Sequence, residues 1–439
     1  MRDFESYWAA GSAWSAGDDP YSRQIWRAER LVPGVDANRD ELLPFVGPPF
    51  GLPLWAQFAR LDYPRAALVW GGVLGIAFLI LTLGSLRLAG SRIDGLDRLA
   101  VLVLAAGFGP LTSGLALGQV AVVACAGTIV ALASLRARNA LGAAAAALVA
   151  ALQPNIAIAL GARFGDRRAT IALALAAFVA LAGSFFAMGG GAGLLRYLTM
   201  LREHARAEQF LAIQTTPAAV ARALGASPPL AAGIGLGLTA LVLLWLFVQL
   251  TVHGHEPLKR FAIASAALPL AWPFAHEHDF TLLFFPAVFA LRRSDGVPRL
   301  VAILGTLLVA VDWLGLAQRP DGLPQTIALT AAAILAIAIL TRNQPWTTIV
   351  IGMLAVAAVI YLGGIAAAHP LPIWPDALKA NFHVDHAASL TATWAAEQHA
   401  SGIDRLDALW GTLRALSLAG CLLLWFIVST TRSESRASA

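Results

Sequence analysis

The 37 residues from 99 to 135 contain no Asp, Glu, Lys or Arg. A membrane-spanning helix needs about 20 apolar residues, so this stretch is too long for one span. Thr112-Ser113-Gly114 and Gly118-Gln119 interrupt it, and the reading is two helices joined by a tight turn. Further uncharged runs cover residues 66–86, 140–162, 169–195, 223–252, 261–275, 280–291, 322–341, 346–368 and 415–431, and the apolar run 300–316 carries only Asp312. Those at 261–275 and 280–291 are short for a span. Only 13% of the 439 residues are charged and 58% are hydrophobic, about half the charged share of a soluble domain. A disordered chain, a coiled coil and an ordinary cytosolic enzyme are excluded. The runs are rich in Ala, Leu, Val and Ile and lack ten-residue alternation, which excludes an outer-membrane barrel. The expected fold is all-α: a polytopic integral membrane protein with eleven transmembrane helices plus a broken hairpin at 140–162. Pro154, between Gln153 and Asn155, cannot continue a helix and divides that segment.

The net charge is +5, but the cations sit in short clusters between apolar runs, as loop anchors do. Nucleic acid is therefore not an expected partner; membrane lipid is. With Arg87, Arg92 and Arg98 placed inside, alternation puts Arg136/Arg138, Arg163/Arg167/Arg168, Lys259/Arg260, Arg292/Arg293/Arg299, Arg342 and the tail with Arg432 and Arg436 on the same side. The opposite short loops 112–118, 272–279 and 317–324 hold only Arg319. The pattern requires the 140–162 hairpin to enter and return on one side. The chain then divides into an outer N-terminal loop (1–65), membrane helices with the broken hairpin (66–195), an outer amphipathic loop (196–228), membrane helices (229–368), a second outer loop (369–410), and a last helix with a cytoplasmic tail (411–439). A 65-residue outer segment ahead of the first span suggests that a further helix precedes Met1. Cys125 and Cys421 lie in apolar runs and read as packing residues.

Polar residues other than anchors collect in the outer segments. The first contains Asp3-Phe4-Glu5-Ser6-Tyr7, then Gly17-Asp18-Asp19-Pro20-Tyr21, then Pro48-Pro49-Phe50. Gly118-Gln119 opens a span. Gln214-Thr215-Thr216 and Arg222 follow, then Trp272-Pro273-Phe274-Ala275-His276-Glu277-His278-Asp279. In this order the elements resemble glycosyltransferase family 87, GT-C-type membrane enzymes that include polyprenyl-phosphate-mannose-dependent mannosyltransferases. The resemblance covers roughly residues 1–290. It departs at Gln153, where the family usually has Lys before Pro, at His276 and His278, which split a His-His pair, and in lacking the family's first span.

The resemblance implies a GT-C-like fold and transfer of a sugar, mannose foremost, from a polyprenyl-phosphate donor to a lipid or glycan hydroxyl. The enzyme would lie in the bacterial inner membrane with its site facing the periplasm or exterior. Asp3 matches the family's first-loop catalytic Asp. Transfer to an alcohol needs a base for the hydroxyl proton and groups that stabilise the departing phosphate. Tyr7, Asp18, Asp19, Tyr21, Gln119, Gln153, Arg196, His276 and His278 are the expected substrate-binding residues. Read alone, Asp3 is a solvated acid and Asp18-Asp19 an Asx-type turn before Pro20. Arg196 anchors an amphipathic surface helix with Leu194, Leu195, Leu198 and Leu201 on one face. His276 and His278 are interfacial histidines. No cofactor and no metal is assigned. Two rivals remain: a secondary transporter, suggested by the broken helix, and a non-catalytic relative that assists envelope glycan assembly.

Overall fold

The protein, seen in a computed structural model, is described over residues 1–90, 93–253, 256–318, 322–342 and 345–431. Arg92, Arg319, Arg432 and Arg436 lie outside the described residues. Among the described residues the secondary structure is helical throughout, with no strand. Six helices among the described residues are long and apolar enough to cross a membrane: Tyr63–Ala89, Arg167–Ala187, Pro228–Val252, Gly322–Leu340, Trp346–Ala367 and Ala408–Thr430. Their surfaces separate by role. Of the most apolar window of Pro228–Val252, 17% is buried, against 61% for Ala408–Thr430. The first is therefore a peripheral helix with a lipid-facing surface, the second a central one.

The expectation of two helices over 99–135 is corrected to three. Gly95–Ala106 and Gly109–Leu117 meet at a bend of 65°, because Pro110 in the first turn of the second piece cannot extend the first. Gly118 then ends the second piece with φ +81°, and Ala121–Arg136 follows. The segment 140–162 folds as a hairpin. Asn139 caps Ala140–Ala150 through the Gly142 N–H. The chain turns at Gln153-Pro154 and returns through two short helical turns ending at Arg163. Ala143 and Ala144 at its start share a cluster with Ala169 and Ala172 of the next helix, so both limbs open toward the same end.

Tyr63–Ala89 identifies the two ends of the bundle. Its 27 residues span about 40 Å at 1.5 Å per residue. At one end Tyr63 donates to the Met1 carbonyl, 2.8 Å; at the other Arg293 donates to the Ala89 carbonyl, 3.0 Å. Arg342 and Arg292 close on Asp97 at that second end, at 2.9 and 3.2 Å. At the first end the three polar segments pack on one another. Asp40 N–H donates to the Phe382 carbonyl, 2.9 Å; Leu42 N–H to Glu397, 3.0 Å; and Thr391 to Glu203, 3.0 Å.

The N-terminal segment was expected to be a loop, and it is instead largely folded. Arg2–Ala16 is a helix that buries Phe4, Tyr7 and Trp8. These residues fall at i, i+3 and i+4, one helical face. The helix stops at Gly17, which is left-handed (φ 83°) and donates to the Ala13 and Trp14 carbonyls. Prolines and charges dominate the composition of this segment, but its aromatic spacing decides its first element.

Candidate active site

Asp3 stands on the first turn of the N-terminal helix, against the break between Gly109–Leu117 and Ala121–Arg136. Gln119 Nε2 donates to Asp3 Oδ2, and Tyr7 OH donates to Gln119 Oε1, 3.1 Å. The tyrosine thereby sets which way the Gln119 amide faces. Close approach makes this possible. A Cβ on Gly118 would lie 2.9 Å from Met1 Cβ and 3.0 Å from Phe4 Cβ, so only glycine lets the helix dock there. Trp70 Nε1 fixes the same turn by donating to the Gly118 carbonyl, 2.8 Å. Below the site lies an aromatic floor: Phe4 stacks on Trp70 with centroids 5.5 Å apart, and Tyr7 on Trp55 at 4.8 Å. Asp3 Oδ1 takes no hydrogen bond among the described residues and is free to accept a proton.

The second half of the site is the turn 276–279 over the hairpin tip. Gln153 Nε2 and Asn155 Nδ2 both donate to Asp279 Oδ1, at 3.0 and 3.1 Å. The His276 N–H donates to Asp279 Oδ2, 3.0 Å. The helix-breaking Gln-Pro-Asn tip thus serves as a holder for one carboxylate. The imidazoles of His276 and His278 lie 5.3 Å apart, centroid to centroid. The two halves are in electrostatic contact, since the Asp3 carboxylate favours protonation of both histidines. Gly114 of the bent pair packs toward His278.

Behind His276 is a buried carboxylate. Glu208 lies 3.3 Å from His276 Nε2 and 3.4 Å from His204 Nε2. It accepts from Trp394 Nε1, 2.5 Å, and from Gln214 Nε2, 3.1 Å. Burial would raise its pKa, yet the histidines and the Trp394 donor hold it at about 2. Burial disfavours charge on His276, but the Glu208 hydrogen bond outweighs burial and raises its pKa. Burial prevails at His278 and His204, whose pKa values are lowered. The surroundings therefore favour charge on Glu208 and on His276 and disfavour it on His278 and His204.

The structure brings together Asp3, Tyr7, Gln119, Gln153, His276 and His278. Asp18, Asp19, Tyr21 and Arg196 form a separate group. Asp19 Oδ1 accepts from the Tyr21 N–H, 3.0 Å, an Asx-type turn. Asp19 Oδ2 lies 3.7 Å from Arg196 Nε, and Asp18 faces Arg27 at 3.5 Å. Tyr21 donates to the Gly47 carbonyl, 2.8 Å. Tyr21 and Arg196 border a cavity of about 310 Å³ with Thr199, Glu203, Ser389 and Thr391. Arg196 sits on the helix Gly191–Glu208, with Leu195 and Leu198 exposed. Glu208 and His204 had no role in the sequence reading. Nothing local marks them, because Glu208 meets His276 only through the tertiary fold.

Comparison with protein families matches residues 45–273 to glycosyltransferase family 87. That stretch is just over half of the chain and takes in Gln119, Gln153 and Arg196. Asp3, Tyr7, Asp18, Asp19, Tyr21, His276 and His278 lie outside it. No curated protein and no solved structure matches the chain. The family match, the helical membrane architecture and the ordered motifs agree: the chain belongs to glycosyltransferase family 87, a family of membrane glycosyltransferases.

Proposed function

We propose that the protein transfers a sugar, mannose foremost, from a polyprenyl-phosphate donor to a lipid or glycan hydroxyl at the periplasmic or exterior face of a bacterial inner membrane. The observation that carries this reading is the half-buried Asp3 carboxylate. Gln119 orients it, its Oδ1 takes no hydrogen bond among the described residues, and its charge acts on His276 and His278 at the end of the bundle where the polar segments gather. The arginine clusters of the short loops, among them Arg136/Arg138 and Arg292/Arg293/Arg299, lie at the other end, and the positive-inside rule favours the cytoplasm for that end.

In this reading Asp3 Oδ1 takes the acceptor's hydroxyl proton as the acceptor oxygen attacks the anomeric carbon. The bond from that carbon to the phosphate oxygen breaks, and both electrons leave with polyprenyl phosphate. One displacement inverts the anomeric centre. His276 and His278 lie on the side of the departing phosphate. Tyr7 and Gln119 act on Asp3, and Gln153 acts on Asp279. Tyr21, Asp18, Asp19 and Arg196, with the neighbouring cavity, lie to one side and suit the acceptor's hydroxyls better than the reacting phosphate.

The test supplies purified protein with radiolabelled polyprenyl-phosphate mannose and extracted envelope lipids. Transfer into a lipid or glycan product is expected. Asp3→Asn keeps the shape but cannot accept the proton, and turnover should fall about 10² to 10⁴-fold. Near wild-type turnover in Asp3→Asn would remove Asp3 from the chemistry.

A further inference from the structure

His276, His278 and Asp279 each present one ligand atom, a ring nitrogen or a carboxylate oxygen, and these atoms lie within 4.8 Å of one another. From this geometry we infer that the three residues form a divalent cation site of the zinc, cobalt or manganese class.

Three observations support it. His278 is 4% exposed, and its Nδ1 has no hydrogen-bond partner. A buried imidazole nitrogen without a partner is costly unless something accepts its lone pair or proton. The supporting contacts are also those of a metal centre. Gln153 and Asn155 hold Asp279 from one side, and Glu208 and Gln214 hold His276 from the other. Ligating histidines and carboxylates are ordinarily oriented by such outer partners. Finally, the charge around the cluster is acidic. Asp3, Asp279 and Glu208 meet there, yet among the described residues no lysine or arginine hydrogen-bonds to Asp3, Gln119, Gln153, His276, His278 or Asp279. A phosphate entering the site would meet these carboxylates with no lysine or arginine hydrogen-bonded among them.

Two nitrogens and one oxygen suit zinc and its neighbours. Bonds of about 2.0–2.2 Å would draw the side chains closer than they now stand. Three protein ligands leave a position open, as in catalytic zinc sites. The role of the ion rests on the donor assigned above: it would bind an oxygen of the departing phosphate and stabilise the charge that develops as the anomeric bond breaks. Sequence reasoning assigned no metal here: His276 and His278 at i, i+2 diverge on a regular α-helix and converge only in an extended loop, where Glu277 and Asp279 are the further ligands available. The chain at 277–283 is instead a tight 3₁₀ turn.

The experiment titrates Co(II), then Zn(II), into the chelator-treated, detergent-purified full chain. It reads bound metal by elemental analysis and coordination by visible absorption. One ion per chain is expected, with the Co(II) bands shifting when inorganic phosphate is added. His278→Ala and Asp279→Asn should each lose affinity at least tenfold. Gln153→Lys should lose it as well, because its ammonium would pair with Asp279 and take the place of the ion. Thermal unfolding monitors whether each variant is folded. Absence of binding by the wild-type chain at 100-fold molar excess would overturn the site, as would equal affinity in folded Asp279→Asn and Gln153→Lys. The readout does not depend on transfer. A bound ion with no transfer from polyprenyl-phosphate sugar would overturn the donor assignment and leave the ion site standing.

Discussion

Gln119 carries more of the candidate site than any other neutral residue, because it joins Tyr7 to Asp3 by one oriented amide. Gln119→Leu should leave the fold intact and reduce turnover by about 10 to 10²-fold through loss of orientation at Asp3, with KM for the donor little changed. A larger effect on KM than on kcat would make Gln119 a substrate contact instead. Tyr7→Phe removes one buried hydrogen bond and should cost about 1 kcal/mol of stability, with a smaller effect on turnover. Asp18→Asn and Asp19→Asn should reduce turnover far less than Asp3→Asn, since Asp19 caps a turn and Asp18 pairs with Arg27. Parallel initial-rate measurements on the three variants decide this, and equal losses would place the Asp19 group in the chemistry. At this scale the sequence separates candidates only in part. Asp3, Tyr7 and Gln119 stand in recognisable order along the chain and do meet. Asp18 and Arg196 are equally polar and outer-segment, but they pair elsewhere. The Glu208–His276 contact has no local trace.

Among the elements, the docking of Arg2–Ala16 on the bent pair decides whether Asp3 reaches Gln119. That docking depends on Gly118, which combines a left-handed backbone with contact to Met1 and Phe4. Gly118→Ala should destabilise the protein by about 1–3 kcal/mol and lower transfer in the fraction that folds. Thermal unfolding in detergent measures the first effect, and an unchanged Tm would show that the N-terminal helix docks without this turn. The long apolar helices were legible because about 20 uncharged residues admit few alternatives. The break at Pro154 was legible because a proline removes a backbone donor and clashes with the preceding turn. The division of 99–135 into three pieces was not. Pro110 sets the bend, but it sits in an uncharged run, and the polar residues at 112–114 and 118–119 drew the turn to themselves. The N-terminal helix was missed because its turn-forming residues outnumber its short aromatic stripe.

Across the whole molecule, segments distant in sequence converge at one end. Their junction contains Glu397, which accepts from Leu42 N–H and Trp374 Nε1. Burial, aided by Glu41 and Asp40, raises its pKa to about 9 despite those two donors. An unfolded glutamate loses its proton near 4.5, whereas the folded one keeps it to about 9. Its contribution to stability is therefore fully present below about pH 4.5 and is lost as pH rises toward 9. Hydrogen exchange of residues 40–42 and 382–398, corrected for intrinsic pH dependence, should show the junction opening progressively between pH 5 and 9. A flat profile would mean that Glu397 is ionised in the fold. Orientation has its own check. Cys125 and Cys421 are buried, so single cysteines at exposed positions report cleanly. Ala16→Cys and Ala387→Cys should react with an impermeant thiol reagent in intact cells, and Ala137→Cys should not; labelling at Ala137 alone would invert the topology. The most direct test of the central claim compares donors in sealed vesicles containing the purified protein. Radiolabelled polyprenyl-phosphate mannose should give product when donor and acceptor reach the face carrying Asp3, GDP-mannose alone should give none, and Asp3→Asn should abolish the signal. Transfer from GDP-mannose without lipid donor, or undiminished transfer by Asp3→Asn, would contradict the account.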